Sequence, residues 1–88
     1  MPTIKFTRRF LKRFARLPIP VQEKIRKQIR LLAENPRHTS LQTKPIRGAA
    51  GIYEARIDRD YRMTYEREAG DTLLLREVGK HEETLKNP

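Results

Sequence analysis

The chain has 88 residues, of which 36% are hydrophobic and none is cysteine, and it carries a formal net charge of +9. That length holds one domain, residues 1–88, around one modest core. Lack of cysteine excludes disulfide staples and thiolate metal sites, and no apolar run approaches the roughly 20 residues of a membrane span. The opening MPTIKFTRRF lacks the apolar region of a signal peptide. Together these features read as a cytoplasmic domain with no membrane segment, metal or cofactor. The charge is uneven: residues 1–51 hold 13 Lys/Arg against 2 Asp/Glu (+11), and residues 52–88 hold 7 against 9 (−2). A half this basic draws a polyanion, with nucleic acid the first candidate and an acidic protein the second.

Thr3-Ile4-Lys5-Phe6 alternates apolar and polar residues and predicts a short strand. Thr7 is a suitable N-cap for a helix over Arg8 to Leu17, with an apolar stripe of Phe10, Leu11, Phe14 and Leu17. Arg8, Arg9, Lys12, Arg13 and Arg16 fall largely off that stripe, on a face that is either simply solvated or turned toward phosphates. Pro18-Ile19-Pro20 ends this helix and opens a second, from about Pro20 to Glu34. Its stripe is Val21, Ile25, Ile29 and Leu32, and the short linker predicts a helix hairpin. Asn35-Pro36 is a stop. Residues 37–51, RHTSLQTKPIRGAAG, read as a loop in which His38 is exposed, and Lys44 and Arg47 stand just ahead of the next strand.

From Ile52 to His81 the alternation predicts a three-strand antiparallel meander. A three-residue loop, Asp58-Arg59-Asp60, pairs Ile57 with Tyr61, Ala55 with Met63 and Tyr53 with Tyr65, so apolar residues meet and all three tyrosines fall on the core side. A slip of one residue would invert every side chain and lose that face. The same register sets Arg56 opposite Arg62, with Glu54 beside them, on what the pattern makes a solvated face. Like charges directly opposite each other cost roughly 0.2–1 kcal/mol. The face is therefore either plainly solvated or built for an anion. Glu66 to Asp71 read as a turn, and Thr72 to Val78, the most apolar strand, as the central one. Gly79 is expected to break it, with a last short helix starting at Lys80. The order β-α-α-β-β-β-short helix predicts an α+β fold, its helix hairpin packed on one face of a small, mostly antiparallel sheet.

The segment GIYEARIDRDYRMTY and the closing VGKH, in this order of elements, resemble the RelE/ParE superfamily of type II toxin–antitoxin toxins, and the RelE-like branch in particular. The resemblance implies a ribosome-dependent mRNA endoribonuclease. It would cleave through the substrate's own 2′-OH without metal, leaving a 2′,3′-cyclic phosphate, and would be held inactive by a cognate antitoxin. Arg62 matches the family arginine at the scissile phosphate, Arg56 a basic position on the preceding strand, and His81 a position held by Arg or His. Glu54 enters from the register argument alone. The roles expected are Glu54 as general base, Arg56 and Arg62 as stabilisers of the phosphorane, and His81 as general acid. Lys44, Arg47 and Lys80 are the expected RNA contacts. Active relatives carry a tyrosine shortly after VGK, whereas residues 82–88 here, EETLKNP, hold no aromatic. Two other readings stand beside the nuclease: a ParE-like toxin acting on gyrase, and a catalytically inactive basic module that binds RNA or a partner.

The charge asymmetry makes one measurable claim. Binding to an RNA duplex should weaken about 10³-fold between about 50 and 200 mM salt if some six phosphates are neutralised. Fluorescence anisotropy across a salt series measures the slope, and a flat response would exclude the basic half as the contact surface.

Overall fold

Residues 52–65 set the frame of the computed structural model, which describes residues 1–88. Strands β3 (Ile52–Arg56) and β4 (Tyr61–Glu68) pair in the register that the alternation requires, with Tyr53 opposite Tyr65, Ala55 opposite Met63 and Arg56 opposite Arg62. The loop has three residues, and the Ile57 N–H donates to the Tyr61 carbonyl across it at 3.0 Å. Around this hairpin stand β1 (Thr3–Phe6), α1 (Arg8–Ala15), α2 (Ile19–Glu34), β2 (Lys44–Pro45), β5 (Thr72–Lys80) and α3 (His81–Lys86). The five-stranded sheet has the order β1-β5-β4-β3-β2, and β1 on β5 is its one parallel pair. The fold is α+β, and no helix is long and apolar enough to cross a membrane.

The core lies between the helices and one sheet face. Phe10, Ile25 and Leu32 meet Ala55, Met63, Tyr65, Leu75 and Val78 there, with Phe14, Leu17, Val21 and Ile29 packed around them. Tyr53 and Tyr61 border the same cluster, so the three tyrosines are core residues as their parity indicates. The Tyr65 hydroxyl is buried without a hydrogen-bond partner. Burial pushes this phenol above its ordinary value of 10.0, against the opposing positive charge of Arg67.

Local contacts explain the helix ends. The Thr7 hydroxyl oxygen accepts from the Phe10 N–H at 3.0 Å and donates to the Arg76 carbonyl at 3.1 Å, capping α1 and tying it to β5. α1 closes at Ala15, two residues before the expected end, and Leu11, expected on the buried stripe, is 51% exposed. The buried Gln22 amide donates to the carbonyls of Phe14 and Leu17, both at 3.0 Å, and so serves the orphan acceptors that a helix end leaves.

Three expectations change. The stretch read as loop contains a 3₁₀ turn, Thr39–Leu41, which buries Leu41 in the core, and the two-residue strand β2. Pro45 is tolerated there because β2 is the edge of the sheet. β4 runs on to Glu68 and occupies the middle of the strand order, so β5 is interior but not central. Gly79 does not break β5, which continues to Lys80. It sits under α3, where a Cβ would make ordinary contact with Glu83 Oε2 at 3.4 Å and Thr84 Cγ2 at 3.9 Å, so the strand passes beneath the helix without a conformation that only glycine adopts. Within β5 the pairing jumps from Tyr65–Leu75 to Thr64–Glu77, leaving Arg76 as a bulge. That extra residue shifts the parity, turning Val78 and not Glu77 into the core.

Parity within β5 is open to test. Leu75→Ala should cost about 2–5 kcal/mol, because it opens a cavity in the core. Leu74→Ala, on the opposite parity and only partly buried, should cost about 1 kcal/mol or less. Urea denaturation of both variants gives the comparison, and equal costs would refute the assigned faces.

Candidate active site

The sheet face turned away from the core is the one the alternation marks as solvated, and the structure corrects this. α3 lies across it, burying Thr64 and Thr84 completely. The Pro88 backbone oxygen accepts from the Thr64 hydroxyl at 3.0 Å and from Arg76 Nε at 3.1 Å, while the Asn87 carbonyl accepts from Arg9 Nη2. Glu54 is consequently buried, its side chain only 3% exposed.

A buried carboxylate needs compensating charge, and three strands or their ends supply it here. Lys44, opposite Glu54 on β2, brings Nζ to 3.6 Å from Oε1. Arg62, on β4, brings Nε to 3.9 Å from Oε1. His81, the first residue of α3, brings Nε2 to 3.4 Å from Oε2. None of these contacts is aligned as a hydrogen bond to Oε2, which has no such partner. At 3.4–3.9 Å these are ion-pair contacts looser than direct hydrogen bonds.

The loop between β3 and β4 fixes two members of the cluster. Arg62, whose side chain is 15% exposed, turns Nη1 back onto the carbonyls of Asp58, Arg59 and Tyr61, the last at 2.9 Å. The His81 backbone N–H donates to the Asp60 carbonyl at 3.0 Å. Asp58 in turn orders the loop: Oδ1 accepts from the N–H groups of Asp60 and Tyr61, both at 2.9 Å, and Oδ2 from Lys24 Nζ at 3.1 Å. Partial burial works to raise the Asp58 pKa, but the hydrogen bond from Lys24, the two backbone N–H groups and the Lys24 charge outweigh it and hold the carboxyl below its ordinary 3.8.

Of the expected site residues, Lys44, Arg47, Glu54 and His81 line one cleft of about 410 Å³, while Arg62 is not part of that lining and comes within 3.9 Å of Glu54. Arg56 is opposite Arg62, half-buried and with no carboxylate partner. Lys80 lies in an adjoining cleft of about 680 Å³, with Arg59 and Tyr61, and His81 forms the wall common to both. The direct pairing of Lys44 with Glu54 and the bracing role of Asp58 were missed in the sequence. Asp58 had a readable signal, since Asp at the head of a three-residue turn commonly accepts from the N–H two residues on.

With this geometry in view, residues 4–85 match the model of the ParE toxin of type II toxin–antitoxin systems, parDE. The chain belongs to that family, within the RelE/ParE superfamily. No curated relative matches it. Among solved structures it is similar to the toxin in the intact RelBE toxin–antitoxin complex of E. coli, at 24% identity and a TM-score of 0.73, covering 91% of this chain and 96% of that one. The YoeB/ParE toxin of Agrobacterium tumefaciens aligns at 23% identity and a TM-score of 0.75, covering 90% and 98%. YafQ of E. coli aligns at 17% identity and a TM-score of 0.73, covering 96% and 98%. At these identities the likeness is one of fold. The chain is therefore a toxin-family member with a RelE-like architecture.

Asp58 yields a pH prediction for this toxin fold. A carboxyl held below 3.8 contributes stability that is present above that value and is lost as pH falls through the folded-state value. Asp58→Ala should lower stability by about 1 kcal/mol at neutral pH. The gap to wild type should close in acid below the ordinary 3.8. Denaturant midpoints at several pH values measure it, and a gap unchanged into strong acid would remove the electrostatic account.

Proposed function

We propose that the protein is a ribosome-dependent mRNA endoribonuclease, the toxin partner of a cognate antitoxin. The observation that carries this reading is the approach of an imidazole and a guanidinium to one carboxylate, with Glu54 3.4 Å from His81 and 3.9 Å from Arg62, beside a cleft that Glu54 and His81 line. Cleavage by 2′-OH attack needs proton transfer at two oxygens and positive charge where the phosphorane gains negative charge. Arg62 and the unpaired Arg56 supply the charge. Lys44, Arg47 and Lys80 hold the strand on either side of His81.

Burial alters the division of labour expected for Glu54. A carboxylate 3% exposed and flanked by Lys44, Arg62 and His81 does not reach a substrate hydroxyl while α3 is in place. In the proposed mechanism it orients His81 and balances the imidazole's charge, as a carboxylate does for a catalytic histidine elsewhere. Because Nε2 faces Glu54, Nδ1 is the nitrogen left to take the proton of the attacking 2′-OH and return it to the departing 5′-oxygen. Residues 82–88 hold no aromatic group to share that task.

The toxins in RelBE of E. coli and in RelB–RelE of Methanococcus jannaschii are each found with an antitoxin. The positive surface of residues 1–51 suits an acidic partner of that kind, folding as it wraps the toxin. A second reading has one observation behind it, the match to the ParE toxin model. On that reading the target is gyrase, and the cleft residues are dispensable.

Primer extension on messages undergoing translation separates the two. Wild-type protein should produce discrete cuts, and His81→Ala and Arg62→Ala should each reduce their rate by about 10²–10⁴. Full cleavage by both variants would end the assignment. Block of DNA supercoiling by purified protein, without any cut in RNA, would transfer the function to the second reading.

A further inference from the structure

We infer that Asp58 is a positioning residue which, braced from α2 by Lys24, holds the guanidinium of Arg62 and the backbone of His81 in one geometry. The inference rests on the reading of Arg62 and His81 as members of the active site.

Lys24 and Gln28 are one turn apart on α2 and share a face. Gln28 donates to the Arg56 carbonyl at 2.8 Å, at the end of β3, and Lys24 donates to Asp58 at 3.1 Å, at the start of the loop. The helix therefore grips the exit of β3 and the start of the loop that follows it. Asp58 converts this grip into loop shape by accepting from the N–H groups of Asp60 and Tyr61. The loop Asp58-Arg59-Asp60 contains no glycine or proline to set its shape by backbone preference alone.

Each carbonyl of that ordered loop then has a task. Those of Asp58, Arg59 and Tyr61 accept from Arg62 Nη1, and that of Asp60 accepts from the His81 N–H. An Arg62 held only by its 3.9 Å contact with Glu54 would sample several rotamers. The carbonyl cage removes that freedom before substrate arrives. A plain hairpin cap would stabilise the turn but would have no reason to converge its acceptors on one guanidinium.

The test uses the full chain and two readouts. In free protein, exchange of the Arg62 guanidinium protons with water is followed by NMR, the signal being assigned by its loss in Arg62→Lys. Asp58→Ala should speed that exchange at least about tenfold while leaving the fold intact, and Asp58→Asn, which keeps an acceptor oxygen for the loop N–H groups, should restore most of the protection. In cleavage assays Asp58→Ala should lower kcat by roughly ten- to a hundredfold with little change in KM. Unchanged Arg62 exchange in folded Asp58→Ala overturns the inference. Should that variant not fold, Asp58→Gly, which also removes the acceptor, and Lys24→Met put the same question, and unchanged exchange in both overturns it. Absence of cleavage by wild-type protein would refute the nuclease reading, and the exchange measurement would still decide whether Asp58 positions Arg62.

Discussion

The pairing register of β3 and β4 is the constraint on which the rest of the molecule depends. With three residues in the loop, Tyr53, Ala55, Tyr61, Met63 and Tyr65 all face the helices, and Glu54, Arg56, Arg62 and Thr64 all face the other way. The period of a strand is two, so no intermediate arrangement exists. The hydrophobic gain from one face thus pins the polar constellation on the other. The core enforces a geometry that its own residues never touch.

That enforcement explains how a face with Arg opposite Arg is tolerated. Repulsion between the two guanidinium groups amounts to a fraction of the burial energy secured by the same register. It is also relieved locally. Arg62 folds back onto the loop carbonyls and approaches Glu54, while Arg56 stays half-buried and unpaired. The result is an asymmetric pair, with one cation fixed and one free to meet an anion. Such an arrangement suits a phosphate that must be both located and accommodated as its charge changes.

The second organising feature is α3 and the residues after it. By covering Thr64 and Glu54 they convert an open sheet face into a cleft with a buried anion at its floor and His81 at its wall. Gly79 lies beneath the helix, and Thr64, Arg76 and Arg9 hold the last residues down through their backbone oxygens. Electrostatic interactions are stronger in such a site than on an open face, because water is partly excluded. The bulge at Arg76 belongs to the same arrangement. It changes the parity of β5, so Glu77 leaves the core side and pairs with Arg9 and Arg13 of α1.

Periodicity, punctuation and caps are local properties, and they were legible in the residues alone. The alternation from Ile52 to Tyr65, the helical stripe of α2, the Thr7 cap and the proline stops determined the element order, the hairpin register and the core tyrosines. They also placed Arg56 and Arg62 on one face with Glu54. What only the tertiary structure decided was which elements close over which face. Burial of Glu54, the pairing of Lys44 with it across β2, the bulge at Arg76 and the passage of β5 through Gly79 each need contacts between residues far apart in the chain. No window of the sequence contains both partners of such a contact, so a polar face reads as solvated until a distant helix is seen to cover it.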